Sequence, residues 1–108
     1  MIKNNYEIIK AIVERNSNNK DLSVVGKYDG LCSYRFVYYK ICADYLKDDY
    51  NHTRASKAIK RGHNNSIYAL KKFDELKDQL YFHSYLKLYN KCLYELIIIE
   101  KKINLIFI

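Results

Sequence analysis

Proline is absent from this chain, and glycine occurs only at positions 26, 30 and 62. Sandwiches and barrels need many short strands with a turn signal between each pair, and such signals are nearly missing. The same scarcity leaves long windows in which an apolar period of 3.6 residues runs unbroken, the mark of helices packed by one face. The expectation is an all-α fold, a small bundle of five to six helices forming a single domain over 1–108. That length supports one core without cross-links.

The helices can be placed by period and caps. Tyr6, Ile9, Ile12 and Val13 share one face of a helix from about Asn4 to Glu14, with Ile8 beside them. Asn16 to Gly30 is a polar connector with one apolar patch at Leu22, Val24 and Val25. A second helix from about Ser33 to Lys47 turns Val37, Tyr38, Ile41, Cys42, Tyr45 and Leu46 inward and ends at Asp48–Asn51. Thr53 is the expected N-cap of a short helix from Arg54 to about Arg61, burying Ala55, Ala58 and Ile59. Gly62 is the expected left-handed terminator, and His63 or Asn64 caps the next helix. That helix reaches about Lys77, with Ile67, Leu70, Phe73 and Leu76 inward and Asn64, Asn65, Tyr68, Lys71 and Lys72 outward. A last helix begins near Asp78, uses Leu80, Tyr85, Leu88 and Tyr89, and continues toward Leu93.

Charge narrows the function classes. Nineteen Lys and Arg against twelve Asp and Glu give a net +7. From His52 to Lys77 seven basic residues face two acidic ones, so this segment holds +5 of it. Such a surplus suits a polyanion. Cys32, Cys42 and Cys92 form no CxxC pair, which favours buried thiols over a disulfide frame or a zinc site. The start of the chain lacks signal-peptide character and no apolar run is long enough to span a bilayer, so the expected location is cytoplasmic. No carboxylate pair, Cys/His dyad or glycine-rich phosphate loop can be named. The expectation is a protein that is not an enzyme, with no cofactor, no bound metal and no membrane partner.

The densest information lies in Ala55 to Phe73, two helices joined at Arg61-Gly62, the second opening on polar residues and carrying a basic outer face. This is the layout of a helix-turn-helix, over about 53–77, whose second helix enters the DNA major groove. Asn64 and Asn65 there could pair bidentately with adenine N6 and N7, and Arg61 could take a guanine or a phosphate. His63 stands at a helix start, where free N–H groups favour an anion. Lys57, Lys60, Lys71 and Lys72 complete the basic set. Structural readings compete with each assignment: His63–Asn65 as a capping cluster, Arg61 as a cap of the preceding helix, the lysines as a solvated face.

The segment Arg35 to Leu76 resembles the C-terminal DNA-binding domain of the chromosomal replication initiator DnaA. That family carries an Arg-Asp-His-Ser/Thr-Thr-Val-x-His-Ala signature at its recognition helix, and the run Arg61-Gly62-His63-Asn64-Asn65-Ser66-Ile67-Tyr68-Ala69 is similar to it. Arg61, His63 and Ala69 match outright, and Lys71 and Lys72 follow where the family is basic. Gly62 replaces the Asp, two Asn replace the hydroxyl residues, Tyr68 replaces the second His, and the family's basic loop is reduced to Val25–Gly30 with one Lys. The resemblance implies a stand-alone double-stranded DNA-binding module, with Arg35 at the start of the upstream helix among the residues that touch DNA. A replication accessory factor or a transcription regulator is the implied role.

The competing class is a protein-interaction module acting through the C-terminal tail, about 78–108. Leu96, Ile97, Ile99, Ile103, Leu105, Ile106 and Phe107 give it an apolar surplus, suited to packing on the first helix or to a homodimer or partner interface. Its β-branched residues also permit a hairpin turning at Glu100–Asn104.

Overall fold

The computed structural model describes residues 5–25 and 30–107, and of these the side chain of Phe107 lies outside the description. Among the described residues there are helices and turns and no strand, as the lack of turn formers implies. Helix α1 is Asn5–Asn16, α2 Leu31–Leu46, α3 His52–Ala58, α4 His63–Leu76 and α5 His83–Phe107. Short 3-10 turns at Lys47–Asp49 and Leu80–Phe82 link α2 to α3 and α4 to α5. Helix α2 is the central element: α1, α4 and α5 all pack against it, α3 packs on α4, and α1 also lies along α5. No helix among the described residues is long and apolar enough to cross a membrane.

Burial follows from that arrangement. Helix α1 buries Ile9, Ile12 and Val13, as its period requires. Helix α2, surrounded on several sides, buries Phe36, Val37, Tyr38, Tyr39, Ile41, Cys42 and Leu46, while Tyr45 is only half-buried. Cys42 and Cys92 are buried free thiols and Cys32 is half-buried. Of the connector's apolar patch, Leu22 alone enters the core. Its N–H is held by the Glu14 carboxylate at 2.8 Å, whereas Val25 is 84% exposed and Val24 39%. Residues 26–29, with the one lysine of the Val25–Gly30 loop at position 27, lie outside the described residues.

Three boundaries differ from expectation. The cap of α3 is Asn51 in place of Thr53: the chain is already extended at Asn51 (φ −128°, ψ 117°), and its carboxamide oxygen accepts from Arg54 N–H at 2.9 Å. The left-handed residue that ends α3 is Lys60 (φ 56°), and Gly62 is extended (φ −82°, ψ 161°). Arg61 N–H reaches Ser56 O at 2.9 Å and Lys60 N–H reaches Lys57 O at 3.0 Å, the paired bonds of a Schellman closure centred on Lys60. Helix α5 starts at His83, with Phe82 buried and Leu80 80% exposed, and runs without a break to Phe107. The C-terminal tail is therefore helix and no hairpin forms.

Of the tail residues offered for an interface, Leu96 is 1% exposed and belongs to the core. Ile99 and Ile103 pack partly against it, Ile97 is 38% exposed, and Leu105 and Ile106 stand out at 78% and 73%.

Candidate nucleic-acid interface

Helices α3 and α4 meet through small residues. Ala55 and Ser56 on α3 and Ser66 and Ala69 on α4 are fully or almost fully buried, which lets the two backbones approach closely. A polar latch sets their angle. Tyr39 Oη donates to Asn65 Oδ1 at 2.9 Å and lies 3.0 Å from Ser56 Oγ, and Tyr38 Oη donates to Ala55 O at 2.7 Å. On the other side Ser66 Oγ lies 2.7 Å from His52 Nδ1 and also bonds Tyr50 Oη. Burial pushes the phenol pKa values of Tyr38, Tyr39 and Tyr50 up, so these hydroxyls stay neutral. Tyr39, Tyr50, Ser56 and Ser66 were invisible as a group in the sequence, where nothing ties α2 and its following turn to α3 and α4. His52 bonds Ser66 and so belongs to the latch.

The latch redistributes the residues expected to meet DNA. Asn65 is half-buried and its carboxamide oxygen accepts from Tyr39, which ties the amide to α2 and leaves that oxygen one lone pair. Arg35 is 5% exposed, its Nε donating to Leu22 O at 2.9 Å and its Nη2 to Val24 O. Burial first, then the neighbouring Arg61, lower its pKa. Arg35 thus clamps the connector onto α2 and lies behind the surface. Arg61 is half-exposed and joins the clamp, with Nη2 2.5 Å from Val24 O and Nη1 2.9 Å from Lys60 O.

What stays outward is a face around the start of α4. Gly62 is its N-cap and gives no side-chain cap, so His63 and Asn64 are the first helical residues and both are exposed. Lys57, Lys60 and Lys71 are exposed, and none has a carboxylate within ion-pair distance among the described residues. Lys72 is half-exposed, 3.4 Å from Glu75 and 5.8 Å over the ring of Tyr68. Helix α4 is rolled relative to the expected stripe: Ser66, Ala69 and Phe73 are buried, Leu70 and Leu76 are half-buried, and Ile67 is 49% exposed. Tyr68, 52% exposed, rests edge-on against Phe36 with ring centres 6.0 Å apart.

Between α2 and the start of α4 an open groove of about 1010 Å³ is lined by Cys32, Arg35 and Phe36 on one wall and by Arg61, His63, Asn64, Asn65 and Tyr68 on the other. Its polar wall offers N–H donors and no carboxylate, so anions suit it better than cations. Among the described residues no cluster of three His, Cys, Asp or Glu side chains could hold a metal ion. Compared with protein-family models, curated proteins and solved structures, the chain matches none.

Proposed function

We propose that this chain is a double-stranded DNA-binding module. In this reading α3 and α4 act as a helix-turn-helix and the exposed face of α4 enters the major groove. The observation that carries it is the uncompensated basic segment: Lys57 and Lys60 before the start of α4 and Lys71 on it are exposed with no carboxylate at ion-pair distance among the described residues, and no acidic residue occurs between Asp49 and Asp74. Desolvating such a face against a protein core would be costly, whereas phosphates gain from it by releasing their counterions. Asn64 is the adenine reader, because its carboxamide makes no hydrogen bond to the described residues, unlike that of Asn65. His63 and the free N–H groups of the helix start face a phosphate. Arg61 keeps further guanidinium donors beyond the two on backbone carbonyls. The resemblance to the replication initiator's DNA-binding domain points the same way and implies a replication accessory or transcriptional role.

The test is a titration of the protein into labelled random-sequence and A·T-rich duplexes, followed by fluorescence anisotropy. Affinity is expected to fall at least several-fold between about 50 and 200 mM salt. Asn64→Ala is expected to lower preference among sequences while leaving weak non-specific binding. No binding at low salt sinks the proposal.

A second reading rests on Leu105 and Ile106, apolar side chains held in water at the end of α5. Association of two copies through these ends would cover them. Sedimentation should then show a dimer that Leu105→Glu with Ile106→Glu converts to monomer. Cutting the chain at Glu95 is a poor test, because it removes the core residue Leu96.

A further inference from the structure

The outward face of α4 is not uniformly polar. Ile67 lies one turn after Asn64 and one turn before Lys71, half in water, while the inward stripe of Ser66, Ala69 and Phe73 closes without it. Tyr68 beside it has local reasons for its place, the edge contact with Phe36 and the cation of Lys72. Ile67 lies outside the core cluster, and a branched aliphatic side chain is a weak helix former, so neither the core nor local propensity explains it.

A major groove offers such a side chain one apolar target, the 5-methyl group of thymine. Resting on the duplex-DNA reading above, we propose that Ile67 is a specificity-determining residue that packs on a thymine methyl. The polyanion supplies the charge complement for Lys60 and Lys71 on either side. Residues three apart on a helix lie roughly 5–6 Å from each other at Cβ, which spans one to two base-pair rises of about 3.4 Å. Asn64 and Ile67 therefore meet neighbouring pairs, adenine through N6 and N7 and thymine through its methyl. The ligand class is a duplex with A·T pairs in the contacted step.

The methyl group can be removed without touching any hydrogen-bonding edge. The probes are an alternating dA·dT duplex and the same duplex with every thymine replaced by deoxyuridine, titrated by anisotropy at low and moderate salt. The wild-type protein should bind the thymine duplex more tightly, by about fourfold for each methyl buried. Ile67→Ala should abolish that difference. Lys71→Gln should weaken both duplexes equally and leave their ratio unchanged. Alanine at an exposed helical position preserves folding, and the wild-type comparison needs no variant at all. Salt-sensitive binding with equal affinity for the two duplexes, or a difference that survives Ile67→Ala, overturns the role of Ile67 and leaves the DNA reading standing. No binding to either duplex overturns both.

Discussion

Gly30 precedes α2 in the left-handed region (φ 73°), and a Cβ there would lie 2.5 Å from Tyr85 Oη. The Tyr85 ring is itself packed between Tyr34 and Phe82, at centroid distances of 5.4 and 5.1 Å, so it has little room to retreat. Gly30→Ala combines backbone strain with that clash, and chemical denaturation should show a loss of about 1–2 kcal/mol. An unchanged midpoint would mean that the junction of α2 and α5 is looser than these distances imply. Single residues are also where the sequence was least legible. Arg35 resembles a surface cation in the sequence because nothing local reveals that the Leu22 and Val24 carbonyls converge on it. Asn65 looks like a twin of Asn64, and only the Tyr39 hydroxyl arriving from another helix separates the two. The exposure of Lys57, Lys60, His63, Asn64 and Lys71 was legible, because polar side chains off the apolar stripe go to water.

Among the elements, the turn from α3 to α4 gives the sharpest contrast. A glycine between two helical stretches invites the left-handed assignment, yet the Schellman bonds fall two residues earlier and put Lys60 there. Gly62→Ala should therefore be close to neutral, within about 1 kcal/mol, since the position is extended and nothing lies within 4 Å of an added Cβ, while alanine is the poorer N-cap. Lys60→Gly should stabilise by about 0.5–1 kcal/mol by relieving positive φ. Thermal unfolding of both variants checks this, and a strongly destabilised Gly62→Ala would restore the simpler turn. Helices α1 and α5 were legible because each keeps one apolar stripe, and α2 because its long apolar run contains no breaker. The roll of α4 was not, since side-chain hydrophobicity ranks Ile67 above Ser66 and Ala69, while close approach to α3 selects the small residues. The start of α5 was blurred for a related reason: Leu80-Tyr81-Phe82 contains no breaker, and only Phe82 finds the core.

At the scale of the whole molecule, one core holds many buried phenols and one segment, residues 52–77, holds much of the positive charge. Burial, with Glu100 nearby, pushes the Tyr45 pKa up to about 12, and burial with Asp44 nearby raises that of Tyr89 as well. Tyrosines in the unfolded chain ionise near 10, so above that pH the unfolded state binds fewer protons than the folded one. Stability is thus complete below about pH 10 and should fall as pH rises from there toward 12, seen as a declining melting temperature in circular dichroism. A flat profile would mean that these hydroxyls are solvated. The basic face invites the most direct test. Binding constants for one duplex should be measured across a salt series for the wild-type protein and for Lys57→Gln/Lys60→Gln/Lys71→Gln. A linear fall of log K with log salt is expected, its slope shallower in the variant by about 0.9 for each phosphate no longer neutralised. Equal slopes would show that DNA, if bound at all, lies on another surface, and would contradict the placing of α4 in the major groove.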